Sequence, residues 1–398
     1  MGEGLPGRRG ADALRVGVIG AGFIGLVHAR AARRSGARIV GVAASTPDST
    51  DAAVVAMGAE HGFGSGEELI ASPDIDVVHV CTPNHLHHPL ALAAIEAGKH
   101  VVCEKPLAVS ESEAHQLRSA AVARGIVATV PFVYRFYPMV REARARIADG
   151  AGPVRLVHGG YLQDWLSTEH DDNWRVDATT SGPSRAFADI GSHWCDLVEF
   201  VTGDRLASVS AQLITAIPAR AARGPHAHAF SAADANDGPT RAVATEDVAI
   251  VQFRTARGVG GSLIVSQISS GHKNQLRFEV VGASESIAFD QERPDSLWLG
   301  RRSGSELLAC DPAHLDPSAA RYAVVPPGHP HGYQDCFDSF VADTYRAVAA
   351  GTTDAIDGLP SFADGLRATQ ITTAVLASAE SNAWEAVDPI VTSKEHSA

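Results

Sequence analysis

Gly17-Val18-Ile19-Gly20-Ala21-Gly22-Phe23-Ile24-Gly25 is the stretch from which the fold of this chain can be read. The apolar run over 16–19 predicts a short buried strand, and 23–35, closed by Gly36, predicts a helix. Between them stands Gly-x-Gly-x-x-Gly. Glycines at that spacing permit a tight turn, close approach of a pyrophosphate and close helix–strand packing. The helix N-terminus adds free amides and the positive end of its dipole. Gly20, Gly22, Phe23, Ile24 and Gly25 are therefore candidate cofactor-binding residues. Alone the motif is weak. Here a second strand follows over 39–44, and strand-helix-strand in one sheet means parallel strands with a right-handed crossover.

Downstream the alternation continues. Helices are expected over 67–71, 89–97 and 111–124, and strands over 77–81, 100–103 and 127–132. A doubly wound parallel α/β sheet spanning 14–133 is the expected solution. The acid that would hold a ribose 2′-hydroxyl is missing, since the second strand ends Ala43-Ala44-Ser45-Thr46-Pro47 with Asp48 beyond. No arginine stands there for a 2′-phosphate. Ser45 and Thr46 are the polar groups placed for the ribose, and NAD is the expected cofactor, with NADP left open.

After Tyr134 the texture changes. Helices are expected over 138–147, 187–201, 333–349 and 362–380, the last able to pack back on the first domain. Strand-like runs fall at 154–162, 207–214, 248–253, 260–266, 276–281 and 286–290. They predict an antiparallel, open-faced sheet in an α+β domain over 134–380. Residues 216–244, rich in Ala, Arg, His and Pro, predict a long mobile loop.

Composition narrows the function classes. The chain has 398 residues, is 45% hydrophobic and 20% charged, and carries a formal net charge of −13. That balance opposes a nucleic-acid surface, and no basic block tracks phosphates. No stretch is long enough to span a bilayer. Five scattered cysteines without a CxxC pair fit reduced thiols in the cytoplasm. Arg8-Arg9 resembles a twin-arginine export signal, but no apolar segment follows it before the first strand.

His100-Val101-Val102-Cys103-Glu104-Lys105-Pro106 supplies the chemistry. A buried strand there delivers Lys105 to the carboxyl edge of the sheet, beside the cofactor crevice. Desolvation and neighbouring charge can tune an amine in that position for proton transfer, although a solvated lysine at a strand end is the plainer role. The Lys105–Pro106 bond is a candidate for the cis form.

Taken together, the glycine turn, Cys81-Thr82-Pro83-Asn84-His85-Leu86-His87 and Ala97-Gly98-Lys99-His100 running into Glu104-Lys105-Pro106 resemble the Gfo/Idh/MocA oxidoreductase family. The resemblance covers nearly the whole chain. It implies a Rossmann domain, an open-faced sheet domain that lines the substrate cleft, and a homo-oligomer, dimer or tetramer. Lys105 matches the family's catalytic lysine, with Glu104 beside it, and Thr82, Pro83, Asn84 and His87 belong to the cofactor cleft. Asp189 and His193 match the family's Asp/His pair; four apart on a helix, they share a face. Tyr161-Leu162-Gln163-Asp164-Trp165, Asn173-Trp174-Arg175 and Ser184-Arg185-Ala186-Phe187 resemble sugar-oxidising members such as levoglucosan dehydrogenases, which act on a pyranoside ring hydroxyl, often at C3.

The implied reaction is hydride transfer between nicotinamide and a secondary hydroxyl of a sugar, glycoside or cyclitol. His193 and Lys105 share the proton, and which is the formal base stays open. Asp189 orients the hydroxyl or steadies His193. Tyr134, Arg135, Asp164, Trp165, Trp174 and Arg175, with Lys105, Asp189 and His193, are the candidate substrate-binding set. Core packing is the plainer role for each tryptophan, and an ion pair for Asp164 and Arg175. His85, His87 and His88 lack a carboxylate at ligand spacing, so no metal is expected. Two alternatives remain: a glycosidase or epimerase that recycles tightly bound NAD, and a non-enzymatic dinucleotide sensor. The joint presence of Lys105, Asp189 and His193 opposes the sensor.

Overall fold

Strand β1 (Arg15–Ile19), helix α1 (Phe23–Arg34) and strand β2 (Arg38–Ala43) form the strand-helix-strand unit that the glycine turn predicts. This computed structural model describes residues 13–221 and 239–387. Helix α2 (Pro47–Met57), β3 (His61–Gly62), α3 (Gly66–Ala71), β4 (Val77–Val80), α4 (His87–Glu96), β5 (His100–Cys103), α5 (Glu111–Arg124) and β6 (Ala128–Thr129) follow. The six strands lie in the order β3-β2-β1-β4-β5-β6, all parallel. Val16, Val18, Val42, Val77, Val78, Val80, Val101 and Val102 are fully buried, as strands covered on both faces require.

Two expectations fail locally. Thr46, expected at the ribose, instead caps α2, its hydroxyl accepting from the Ser49 amide, with Pro47 at the first helical position. The strand expected over 127–132 shrinks to two residues. A 3-10 turn, Val133–Phe136, then carries Tyr134 and Arg135.

The second unit holds α6 (Pro138–Asp149), β7 (Val154–Leu162), α7 (Ala178–Ser181), α8 (Ser192–Thr202), β8 (Leu206–Ile214), β9 (Ala219–Ala221), β10 (Thr240–Ala242), β11 (Val248–Thr255), β12 (Gly260–Ser266), β13 (Gln275–Gly282), β14 (Ser286–Asp290), β15 (Ser296–Arg301) and β16 (Gly304–Ala309). Short α9 (Pro317–Ala320), α10 (Tyr333–Ala350), α11 (Phe362–Ser381) and β17 (Glu385–Ala386) close the chain. Nine strands form one sheet, β16-β15-β14-β13-β7-β12-β11-β8-β17. It is antiparallel except where β7 runs parallel to β12, a long-range pairing that alternation cannot reveal.

One face of this sheet packs against α6, α8 and α11. The opposite face leaves large apolar side chains exposed, with Ile250 directly opposite Ile264 and Trp298 opposite Leu307. Both closing helices reach the first unit: α10 packs on α1, and α11 packs on α5 as well as β8.

The loop expected over 216–244 is in part a ribbon, β9 pairing antiparallel with β10. Arg220 fixes it, donating from a fully buried guanidinium to Asp247 and to the carbonyls of Leu166 and Thr168. The rest of that segment, 222–238, and the Arg8-Arg9 pair lie outside the described residues. No helix of the described residues is long and apolar enough to cross a membrane.

Candidate active site

Lys105 leaves the carboxyl end of β5, and its bond to Pro106 is cis. Its ammonium donates to Asp189 Oδ1 at 2.8 Å and to the Asp189 carbonyl at 2.9 Å. The Arg175 Nε lies 3.3 Å from the same Oδ1, and Gln267 Nε2 donates to Oδ2 at 2.9 Å. Burial alone would raise the Asp189 carboxyl. The Lys105 and Arg175 charges overrule it and hold the group well below the usual carboxylate range. Asp189 is therefore an anion held by two hydrogen-bond donors and one flanking guanidinium, from three separate segments.

His193 stands in an aromatic box. Its ring meets Phe132, Tyr134 and Tyr161 at centroid distances of 5.7, 5.0 and 6.5 Å. Burial drives its pKa well below the imidazole value, and the Lys105 charge adds to this against the opposing pull of Asp189. The ring is neutral at neutral pH. Its Nδ1 is buried with no hydrogen-bond partner among the described residues.

The helix expected to carry both residues differs in kind. Phe187–Gly191 is a π-helical turn, and α8 starts only at Ser192. Glu246 holds its entry, accepting from the Arg185 and Phe187 amides at 3.0 and 2.8 Å and from Ser184 Oγ at 2.8 Å. Sequence spacing cannot show this widening, because the carboxylate that stabilises it is some sixty positions downstream. The turn nonetheless brings Asp189 to Lys105.

A dinucleotide fits the glycine turn. Gly20 has φ +106°, and a Cβ there would meet the Cys81 carbonyl oxygen at 2.4 Å. A Cβ on Gly22 would meet nothing within 4 Å, and α1 starts there without a side-chain cap. An uncapped, open helix N-terminus is what a pyrophosphate requires. Phe23 is exposed at that end, while Ile24 packs inward on the core. Across the crevice, Thr82 Oγ1 is buried and unpartnered among the described residues. Ser45 is exposed at the end of β2, whereas the Thr46 hydroxyl is occupied in capping α2.

Several expected contacts are redirected. Asn84 donates its amide to the Ser181 carbonyl at 2.8 Å, tying the two units together. His87 sits between the Pro106 and Thr82 carbonyls at 2.7 and 2.9 Å and braces the cleft wall from behind. Glu104 points into the core, one carboxylate oxygen on His28 Nε2 and the other on the Lys105 amide.

Arg135 is corrected from substrate contact to structural anchor. Its buried guanidinium pairs with Asp196 and Asp364 and stacks on Phe200, because three packed elements meet there. Asp164 is the alternative ion pair, 2.7 Å from Lys273 Nζ. Trp165 packs on the small Leu166, Val176 and Val243 cluster. Arg175 faces Asp189, and its guanidinium stacks 4.4 Å from the Trp174 indole. Tyr134 and Tyr161 share a short hydroxyl–hydroxyl hydrogen bond, and Tyr161 also donates to Asn274 at 2.7 Å.

Gln267, Tyr161 and Asn274 were missing from the sequence reading of the site. The one signal was the Tyr161–Trp165 segment, whose resemblance to sugar-oxidising members includes Tyr161. Asp295, Cys310 and His331 form a separate group of metal-ligating types, their ligand atoms within 4.8 Å of one another. His331 engages Asp295 through both ring and main chain, closing the segment that leads into α10.

A parallel sheet with an open glycine turn, a lysine at its carboxyl edge and an Asp/His pair from a second unit define an NAD-dependent dehydrogenase. Residues 14–132 match the oxidoreductase family with NAD-binding Rossmann fold, and 140–288 match the GFO/IDH/MocA C-terminal domain. The chain belongs to the Gfo/Idh/MocA oxidoreductase family.

Among its relatives, levoglucosan dehydrogenase of Pseudarthrobacter phenanthrenivorans is 33% identical over 95% of this chain and 99% of its own. A solved levoglucosan dehydrogenase in complex with NADH and L-sorbose superposes with TM-score 0.86 at 32% identity, covering 96% of this chain and 100% of that one. Inositol 2-dehydrogenase of Rhizobium meliloti is 28% identical over 92% of this chain and 96% of its own.

Proposed function

We propose that this dehydrogenase oxidises a ring secondary hydroxyl of a pyranose-like sugar, glycoside or cyclitol, with residues 14–133 as the cofactor unit and 134–380 as the substrate unit. The observation that carries the reading is the Lys105–Asp189 pair beside a neutral His193. Bound NAD supplies the hydride acceptor. The first turn of α1 would hold its pyrophosphate, Ser45 its adenosine ribose, and Thr82 with Pro83 the nicotinamide side. NAD is the cofactor because neither an arginine nor a lysine follows β2.

The proton chemistry follows from charge. Lys105 uses two of its three N–H groups on Asp189, which leaves one for the substrate oxygen. Facing an ionised carboxylate, it acts as a donor that steadies the developing alkoxide. His193, neutral and with a free lone pair, takes the hydroxyl proton. Trp174 offers an apolar ring face and Arg175 a second donor. The similarity to levoglucosan dehydrogenase favours a pyranose-type ring over inositol.

A cytoplasmic homo-oligomer joined through the exposed face of the nine-stranded sheet completes the proposal. The exposed Ile250, Ile264, Trp298 and Leu307 support the interface, and five buried free cysteines support a reducing compartment. A spectrophotometric screen of levoglucosan, glucosides and inositols with NAD and with NADP tests the reaction. NADH formation with an anhydrosugar or glycoside is expected. Sugar release without net NADH would replace it by the NAD-recycling glycosidase, and no reaction of the NAD-loaded protein would leave the sensor.

A further inference from the structure

Behind Lys105 runs a buried chain of side chains that neither hydride transfer nor cofactor contact explains. Glu104 Oε1 lies 3.0 Å from His28 Nε2, His28 Nδ1 2.9 Å from His79 Nδ1, and His79 Nε2 3.0 Å from the Tyr345 hydroxyl. Both histidines are fully buried, and Glu104 and Tyr345 nearly so. The second carboxylate oxygen accepts the Lys105 main-chain N–H at 3.1 Å. The chain thus runs from α10 through β4 and α1 to the backbone of the lysine.

Donor arithmetic gives it a direction. A carboxylate only accepts, so His28 Nε2 carries the proton. In a neutral ring Nδ1 then accepts, His79 Nδ1 donates, its Nε2 accepts, and the Tyr345 hydroxyl donates. Every donor points toward Glu104, and each bond polarises the next. Burial drives His79 well below its ordinary range, and Phe337 packs edge-on to His28 at 4.9 Å.

The titratable groups around Glu104 are Lys105, His87, Cys81, Cys103 and Tyr333. Burial works to raise Glu104, but the hydrogen bond and electrostatic pull of His28, and then the Lys105 charge, hold it low, so it stays ionised. At the far end, burial raises the Tyr345 hydroxyl above the phenol range, which keeps it a donor to His79 Nε2.

We propose that His28, His79 and Tyr345 are positioning residues for Lys105, acting through Glu104 as a one-way chain of hydrogen bonds that holds the Glu104-Lys105 backbone in place. The proposal rests on the assignment of Lys105 to the hydroxyl chemistry above. Its test is nitrogen-15 histidine NMR of the full chain, with resonances assigned by His28→Gln and His79→Gln. It is paired with NADH binding and levoglucosan-dependent NADH formation by Tyr345→Phe.

The expected spectra show His28 protonated at Nε2 and accepting at Nδ1, and His79 protonated at Nδ1 and accepting at Nε2. Tyr345→Phe, three hydrogen bonds from Glu104, should shift the His28 resonances and lower kcat about tenfold, with NADH affinity and KM unchanged. A His28 imidazolium, the opposite tautomers, or wild-type kcat in Tyr345→Phe would overturn it. The spectra need no substrate, so if levoglucosan is not turned over the tautomers and the His28 shift decide alone.

Discussion

Lys105 Nζ donates twice to one residue, to the carboxylate and to the main-chain carbonyl of Asp189, at 2.8 and 2.9 Å. Two units of the chain, eighty-four positions apart, are thereby joined at a single ammonium. The carbonyl lies within the π turn over Phe187–Gly191. The pair sets both the charge and the aim of the proposed chemistry.

Removing the ammonium should stop turnover and spare the cofactor. Lys105→Ala is expected to lose about three orders of magnitude in kcat, within the range of one positioned proton-handling group. NADH affinity, read by fluorescence titration, should stay within about twofold. Near-normal turnover in this variant would remove Lys105 from the mechanism.

The pH dependence follows from His193. Its folded pKa lies below the unfolded value, so kcat/KM should stay level as pH falls through about 6.5, the ordinary imidazole value. Stability moves the other way. Below about pH 6.5 the unfolded chain takes up a proton that the buried ring does not, and stability falls toward the folded pKa. Urea midpoints at about pH 7 and 5.5 should therefore diverge less in His193→Asn than in the native protein. An equal fall in both would place the titration elsewhere.

The glycine turn separates a strained position from an open one. Gly20→Ala puts a methyl 2.4 Å from the Cys81 carbonyl oxygen at φ +106°, so it should cost about 1–3 kcal/mol and lower the melting temperature. Gly22→Ala meets nothing within 4 Å and should melt like the native chain. Its methyl projects into the space proposed for the pyrophosphate, so NADH binding should weaken without loss of stability. Calorimetry with and without NADH distinguishes the two effects.

Ile264→Asp tests the proposed interface. Ile264 is 48% exposed and lies opposite Ile250 on the open sheet face, so a charge there changes no core contact. Light scattering should show a smaller species than the native protein, with the melting transition of the isolated chain preserved. An unchanged oligomer would place the interface on another surface.

Local signals made the first unit legible. The strand at His100–Cys103 and the helix at Glu111–Arg124 have the bounds expected from the sequence, and Ser110 and Gly125 cap that helix. Motif context likewise pointed to Lys105, Asp189 and His193 together. Short-range rules erred where a distant group decides: Thr46 went to a cap, Arg135 to Asp196 and Asp364, and Glu104 to His28. A polar side chain advertises its donors and acceptors, never which partner will reach it.

What the sequence determined by itself is the parallel sheet, the glycine turn and the residue types at the edge of β5, because hydrophobic period and backbone permissiveness are local properties. The hold of Gln267 and Arg175 on Asp189, the burial that keeps His193 neutral and the parallel pairing of β7 with β12 arise only in the packed fold. Those facts depend on burial and on long-range hydrogen bonds, which exist only once distant segments have been packed together.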